Sequence, residues 1–585
     1  MNYSLAEQLA RQEINSFLKS ALPAVVPLSG TKSGVKNLKP EITYPPKPEW
    51  GNFSVPCFGL GKNPVELAKN LAAKFNSKKY KLLKKVQPAG PYLNFFVDEK
   101  KYTELVLSEI LKNKEKYGQT KPEKKLKIMV EYFSPNTNKP MTVGHLRNIC
   151  LGEAVSNLLE NAGHKVLRAC LYNDRGIALC KTIVAYQKWG GKKTPGRQKP
   201  DHFAGQFYVM FNQVSIADKK LEDEATACLR KWEAGDKPTI ALWKKILNWT
   251  LAGFTETLKS LELKKIGKIY FESAIYAQGR DLIAKGLKGG VFKKHLDGYI
   301  YAPLEQFGLP NKILLRADGT SLYIVQDIYL AILKNKDKLN KSIYIVGSEQ
   351  DLAMKQLYKI LEMLGQNFEN YHLSYGMMRL PDGKIKSRQG LVKGTGADEL
   401  IASLDKMALQ EVKSRDKKIS PAAAKTRARQ IALAALKYYI LQVNPKSGMI
   451  FDPKKSLAFT GNTGPYLQYT YARIASILKK IKSVNRRRHS SRLTGSPSEA
   501  EENALITTLA KFPAVCDTAA TQYDPSLLAH YLYNLAKTFS AFYENVPVLK
   551  AEKNLRDSRL ALIIATQLVM KKGLSLLGIN AIEKM

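Results

Sequence analysis

Apolar residues recur along this chain in more than one register. At the start, Leu5, Leu9, Ile14, Phe17 and Leu18 fall on one face among Glu7, Arg11 and Glu13, which predicts an amphipathic helix. After a Pro/Gly-rich stretch, 40–51, a second helix is predicted over 63–75, opened by Asn63-Pro64 in capping order. An aromatic strand over 91–97 closes this first segment. From Lys127 the pattern changes to a strand over 128–133, a loop over 134–143, a helix over 144–161 stopped by Gly163, and a strand over 166–172. That order predicts a parallel βαβ unit. A second α/β stretch covers about 313–376, with strands at 312–316 and 343–346, and 190–300 reads as an insertion with helical stretches and a loop at 191–196. Beyond about 400 the chain reads as mainly helical. Leu528, Tyr531, Leu532, Leu535, Phe539 and Phe542 recur at three and four residues, a stripe that usually means core packing. The stretch 482–499, with Arg486, Arg487, Arg488 and His489, lacks periodicity and reads as an exposed basic loop.

Composition narrows the function classes. The 585 residues hold 92 Lys+Arg against 51 Asp+Glu, a net charge of +41. Such a charge attracts polyanions, although a lysine-rich surface that merely solvates the protein gives the same total. A 44% hydrophobic content fills several cores and excludes wholesale disorder. No apolar run reaches the ~18 residues of a spanning helix; the nearest, 560–570, is broken by Thr566 and Gln567. The charged first helix is not a signal peptide. Cysteines 57, 150, 170, 180, 228 and 516 never form a CxxC pair, so no disulfide framework or structural zinc is expected and a reduced, cytoplasmic setting is.

Two segments carry candidate chemistry. The first runs from Glu131 to Arg147 and lies after a strand and at a helix N-terminus, where phosphates bind. Gly144 lets a planar base approach the backbone, Lys139 and His145 can donate to phosphate, and Asn136 suits a carboxylate or an amine. Taken alone, a Gly-His at a helix start is more often a cap and a satisfied histidine. The second, Gly383-Lys-Ile-Lys-Ser-Arg-Gln-Gly390, is a small basic loop whose Lys384, Lys386 and Arg388 could close over a pyrophosphate. Alone it is a solvated turn.

Together, in this order, they resemble the HIGH and KMSK signatures of class I aminoacyl-tRNA synthetases, and their surroundings resemble the arginyl family. The resemblance rests on Ser134-Pro-Asn-Thr-Asn-Lys-Pro140, Gly144-His-Leu-Arg147, Asn173-Asp-Arg-Gly176, Asp318-Gly-Thr-Ser-Leu-Tyr323 and Gly461-Asn-Thr-Gly-Pro-Tyr-Leu-Gln-Tyr-Thr-Tyr-Ala-Arg473, spread over nearly the whole chain. It implies a multidomain protein: an α/β Rossmann-type catalytic domain, an α+β N-terminal domain and an all-α C-terminal anticodon-binding bundle. The expected boundaries are 1–100, 120–400 with the insertion, a connecting region 401–454 with the second signature's loop, and 455–585. It implies ATP-dependent activation of L-arginine, with Mg²⁺, and transfer to the terminal adenosine 2′-OH of arginine tRNA, by a monomer without membrane attachment. Residue by residue it implies an arginine pocket of Glu131, Asn136, Tyr323, Asp327 and Gln350, and ATP contacts from Thr142, Gly144, His145, Ser387 and Arg388. Catalytic charge is expected from Lys139, His145, Lys384 and Lys386. The tRNA contacts implied are Tyr92 and Asn94, which face the same way two apart on a strand, and the terminal Met585. No metal ligands are expected.

Two positions depart from the family pattern. Thr142 replaces the first histidine of HIGH and Ser387 the second lysine of KMSK. The remaining cations near the helix start, Lys139 and His145, are expected to carry the load.

Overall fold

The computed structural model describes residues 2–22, 41–381, 396–484, 499–548 and 550–585. Lys384, Lys386, Ser387 and Arg388, and the basic run from Arg486 to His489, lie outside the described residues.

The first unit contains α1 (Leu5–Ala21), β1 (Phe53–Pro56), α2 (Pro64–Ala73), β2 (Leu83–Ala89), β3 (Tyr92–Val97) and α3 (Glu99–Asn113). Its strands form an antiparallel sheet in the order β1-β3-β2. The predicted amphipathic face of α1 is the buried one: Ile14, Phe17 and Leu18 pack in a core with Phe53, Leu71, Leu93 and Phe95. Asn63 caps α2 by accepting from the Glu66 N–H, and Pro64 needs no donor there.

The central unit contains β4 (Lys127–Glu131), α4 (Val143–Asn161), β5 (Lys165–Tyr172), α5 (Ile177–Ala185), α6 (Pro200–Val214), α7 (Lys220–Glu233), α8 (Lys237–Ser260), β6 (Lys268–Phe271), α9 (Glu272–Lys288), β7 (Lys293–Lys294), β8 (Ile300–Ala302), β9 (Lys312–Leu315), α10 (Tyr323–Asn335), β10 (Lys341–Gly347), α11 (Asp351–Met363), β11 (Glu369–Tyr375) and β12 (Met378–Arg379). Five strands make a wholly parallel sheet in the order β11-β10-β4-β5-β6. Helices cover it, as buried parallel strands require. Two expectations need correction. The strand expected at 312–316 is β9, which joins β7 and β8 in a small antiparallel sheet instead of the parallel one. The stretch 190–300 is not all insertion, because β6 completes one edge of the parallel sheet. Four residues between a polar loop and a helix leave too short an apolar pattern to read.

The helical remainder comprises α12 (Ala397–Arg415), α13 (Pro421–Leu441), β13 (Met449–Ile450), α14 (Pro453–Ser456), α15 (Gly464–Val484), α16 (Ala500–Ala510), α17 (Phe512–Gln522), α18 (Pro525–Asn545) and α19 (Lys553–Leu576). The predicted stripe is the buried face of α18. The helix starts at Ser420-Pro421, Asp452-Pro453 and Asp524-Pro525 repeat one device. An oxygen-bearing side chain accepts a backbone N–H of the first turn, and proline fills the position that needs no donor.

The three units meet at the segment after α3. Tyr117 Oη donates to the Leu509 carbonyl at 3.1 Å, and its ring stacks on Phe512 with centroids 5.9 Å apart. Gly118 has φ +78, and a Cβ there would stand 2.6 Å from the Phe512 ring. Asn161 Nδ2 on α4 donates to the Gly118 carbonyl at 2.7 Å. Nearby, Lys511 Nζ lies 4.1 Å from the centre of the Tyr44 ring, whose hydroxyl donates to the buried Glu7 at 2.6 Å.

Candidate active site

Ligands of open parallel sheets bind at the carboxyl ends of the strands, where the strand order reverses. Here that point is between β4 and β10. Glu131 ends β4, is buried, and pairs across the sheet with Tyr344 of β10. The chain leaves β4 through Phe133, at φ +64. Asn148 of α4 holds that turn: its Oδ1 accepts the Phe133 N–H at 2.5 Å and its Nδ2 donates to the Ile345 carbonyl at 2.6 Å. The loop then crosses to the end of β5, where Thr137 donates to the Asn173 carbonyl from both N and Oγ1 at 3.1 Å. Asn136 stays exposed.

At the start of α4 the Thr142 N–H donates to His145 Nδ1 at 2.9 Å. Nδ1 is therefore an acceptor and the ring proton sits on Nε2. Burial, then the charge of Lys139, pull the His145 pKa down to about 4. His145 is neutral at physiological pH, so the expectation of a second cation there is corrected: it offers an N–H, not a charge. Lys139 remains, its pKa lowered by burial. Its loop is backed by α6, where a Cβ on Gly205 would stand 2.5 Å from Pro140 Cδ. A Cβ on Gly144 would meet only Thr142 Oγ1, at 3.6 Å, leaving room for a flat group over the backbone.

Helix α10 runs into β10 through a short turn, so its N-terminus lies at the same edge of the sheet. Tyr323, Asp327 and Lys334 share one of its faces at increasing depth: Tyr323 is 73% exposed, Asp327 partly buried and Lys334 1% exposed. Burial, then the charge of Glu131, push the Asp327 pKa up to about 6, against the pull of Lys334 and Lys312. Lys334 Nζ contacts Glu131 Oε2 and lies 4.2 Å from the centre of the Tyr344 ring. Gln350 ends the turn after β10 and is exposed. Of the expected pocket residues, Glu131 is buried at the end of β4 and acts by its charge on the partly buried Asp327, while Asn136, Tyr323 and Gln350 are exposed.

Gly396, the first described residue after the second signature, bridges Thr142, and the Ala397 N–H donates to the Met141 carbonyl at 2.9 Å. Asp398 then accepts from His202 at 2.8 Å, Lys199 at 3.0 Å and Thr257 at 2.8 Å. Against the desolvation of burial, these bonds hold the Asp398 pKa at about 2. Among the described residues, Asp201, His202 and Asp398 are the one His/carboxylate group spaced for a metal ion. Lys199 Nζ, 2.8 Å from Asp201 and 3.0 Å from Asp398, already pairs with both carboxylates.

On the first unit Tyr92 is 42% exposed, with Phe58 edge-on at 5.6 Å. Asn94 is a correction: it is 4% exposed and its Oδ1 accepts from Ser54 Oγ at 2.7 Å, so it is not presented beside Tyr92. Met585 is half-buried. The sequence reading passed over Lys334, Lys199, His202 and Asp398. For Lys334 a signal existed: it stands seven residues after Asp327, two turns along the same face.

A parallel sheet opening at its switch point onto a Gly-His helix start, with Glu131 buried at the end of β4, fits the class I aminoacyl-tRNA synthetase catalytic domain. Residues 106–452 match the family model for the catalytic domain of "tRNA synthetases class I (R)". Residues 8–97 match the arginyl tRNA synthetase N-terminal domain and 467–585 the DALR anticodon-binding domain. An arginine–tRNA ligase of Treponema denticola is 43% identical over 568 residues, covering 93% of this chain and 94% of that one. One of Treponema pallidum is 37% identical over 578 residues, covering 96% of each. The arginyl-tRNA synthetase structure of Thermus thermophilus superposes with a TM-score of 0.82 at 26% identity, over 98% of this chain and all of that one. The chain belongs to the arginyl-tRNA synthetase family.

Proposed function

We infer that this enzyme charges arginine tRNA with L-arginine at the expense of ATP, and that the β4–β10 crevice is where it does so. The observation that carries the assignment of residues is Glu131 at the end of β4, its charge acting on Asp327 of α10, at the switch point of the sheet from which the chain runs into α4. A guanidinium is planar, permanently charged and suited to carboxylates. Glu131 and Asp327 take that end, Tyr323 offers an aromatic face, and Asn136 and Gln350 bind the α-amino and α-carboxyl groups. The substrate's carboxylate oxygen then faces the ATP α-phosphate over Gly144. It attacks the phosphorus in line, the bond to the bridging oxygen of the β-phosphate breaks, and pyrophosphate leaves. Lys139 supplies positive charge and His145 Nε2–H a neutral hydrogen bond to the phosphoryl oxygens as charge spreads over them. By family resemblance Thr142, Ser387 and Arg388 contact ATP, and Lys384 and Lys386 attend the leaving pyrophosphate. The terminal adenosine 2′-OH of the tRNA attacks the adenylate carbonyl in the second step and releases AMP.

Mg²⁺ is assigned to the ATP phosphates, the usual way this ion enters phosphoryl chemistry, since Lys199 fills the carboxylate group beside α6. tRNA is assigned to the surface carrying Tyr92 and to the helical unit ending at Met585. Among the described residues no helix is long and apolar enough to cross a membrane. A monomer acting in the cytoplasm, where tRNA is found, completes the proposal. The test is arginine-dependent ATP–pyrophosphate exchange with and without arginine tRNA, followed by charging of that tRNA. Exchange is expected only with tRNA present, and failure to charge with arginine under any condition would overturn the assignment.

A further inference from the structure

The arginine pocket contains a cation of its own. Lys334 is 1% exposed and sits on the α10 face that carries Tyr323 and Asp327. Its ammonium meets Glu131 Oε2 and rests over the Tyr344 ring at 4.2 Å. A buried lysine without a strong partner is expensive, and this one stands beneath the two carboxylates that would receive the guanidinium. The formal charges of Glu131, Asp327 and Lys334 sum to one negative, and one guanidinium neutralises the group. Without Lys334, Glu131 would lose its cation and Asp327 would keep only the pull of Lys312, and the two carboxylates would hold two negative charges that a single arginine leaves unbalanced.

We propose that Lys334 is a positioning residue for arginine recognition: it fixes Glu131 from below and sets the pocket's charge to accept one monocation. The proposal rests on the pocket assigned above. It has a consequence in pH. Arginine competes with a proton for Asp327, and Lys334 is one of the charges that favour the ionised form of Asp327. Removing it should make the proton the stronger competitor.

The other groups facing this cluster separate cleanly. Lys312 of β9 pulls Asp327 in the same direction as Lys334. Cys170 of β5, with its pKa pushed by burial to about 12, and Tyr270, Tyr344 and Tyr358, all pushed up by burial, stay neutral throughout the working range. Glu272 at the start of α9, pushed up by burial to about 7, is the other carboxyl that titrates near Asp327.

The experiment measures kcat and the KM values for arginine and ATP by tRNA-dependent exchange from about pH 5.5 to pH 8.5. It compares the wild type with Lys334→Met, Lys334→Gln, Glu272→Gln and Asp327→Asn. In Lys334→Met the arginine KM should rise about tenfold at pH 6 relative to its value at pH 8, roughly a one-unit upward move of the acid limb. The ATP KM should stay fixed. Lys334→Gln, which keeps a donor for Glu131 but no charge, should move the limb equally and gives the reading if the methionine variant does not fold. Glu272→Gln should leave the Lys334-dependent move in place. An acid limb that stays put in both Lys334 variants overturns the proposal, as does a loss shared equally by kcat and both KM values. If Asp327→Asn leaves the arginine KM unchanged, the pocket assignment itself fails; if it raises that KM while the Lys334 variants do nothing, only the role of Lys334 fails.

Discussion

Replacing Asp327 with asparagine should stabilise the ligand-free enzyme and cripple it at once. Burial and Glu131 raise the Asp327 pKa from 3.8 to about 6. Between these values the folded state holds a proton that the unfolded chain has released. Stability therefore falls as pH rises through this window, and the loss is complete above pH ~6. About two pK units correspond to roughly 3 kcal/mol, with about half of it already present near pH 5. An asparagine side chain cannot ionise, so the variant should regain that energy: about 3 kcal/mol above pH 7 and progressively less toward pH 4. A chain of several units does not unfold in one step. The apt measurement is native-state hydrogen exchange of the α10 and β10 amides, variant against wild type at matched pH, so that intrinsic exchange cancels. Saturating arginine should reverse the order, because its guanidinium compensates Asp327 only in the wild type. The same substitution should cost ~2–5 kcal/mol in arginine kcat/KM, the scale of breaking a buried charged pair. Citrulline binding should change far less. A stabilisation independent of pH, or equal losses for arginine and citrulline, would show that Asp327 is only a packing residue.

Lys139→Ala and His145→Ala should each lower kcat by ~10²-fold, the scale of one lost transition-state donor, with the arginine KM nearly unchanged; a silent Lys139→Ala in exchange assays would move the charge to Lys384 or Lys386. Because His145 titrates at about 4, it should add no limb to the kcat profile near neutrality, and a limb lost in His145→Gln would contradict the neutral ring. Thr142→His restores the family's residue and should be neutral or faster in exchange kinetics; a slower variant would show that Thr142 is needed beside His145 and Gly396. Tyr92→Ala should weaken tRNA binding without unfolding, since the ring is 42% exposed; binding by filter retention should also fall steeply with salt for a chain of +41, and a flat salt curve would refute broad phosphate contact.

What the sequence reading reached follows from where information is local. The βαβ unit, the α1 face and the α18 stripe are written in periods of a few residues, so their burial could be foreseen. Strand partnership is not local: nothing in 312–316 says that β9 pairs with β8, and nothing in the four residues of β6 marks a sheet edge. The site divides the same way. Glu131, Asp327 and Tyr323 follow from motif resemblance; the fold puts Glu131 at the end of β4 and the other two four residues apart on α10. The neutral state of His145 depends on burial and on Lys139 in the finished structure. The cover over Asn94 depends on Ser54, a strand away. Lys334 is the nearest miss, hidden because a lone lysine in an apolar helix is usually taken to face water.

The clamp on Tyr117 and Gly118 bears on how this chain could be cut or recombined. The segment after α3 looks in outline like a tether between a detachable front piece and the rest. In fact α4 grips it from one side and α17 from the other. Truncation before Gly118 would strip Phe512 of the Tyr117 ring and uncover apolar surface on the helical bundle, with Lys511 left without Tyr44. A chimaera that exchanges only the first hundred residues with a relative keeps Tyr117 and Gly118 on Leu509 and Phe512, and puts at risk the contact of Lys511 with Tyr44. A working cut therefore falls before Tyr117, leaves that segment on its seat around Leu509 and Phe512, and keeps Glu7 and Tyr44 matched to Lys511.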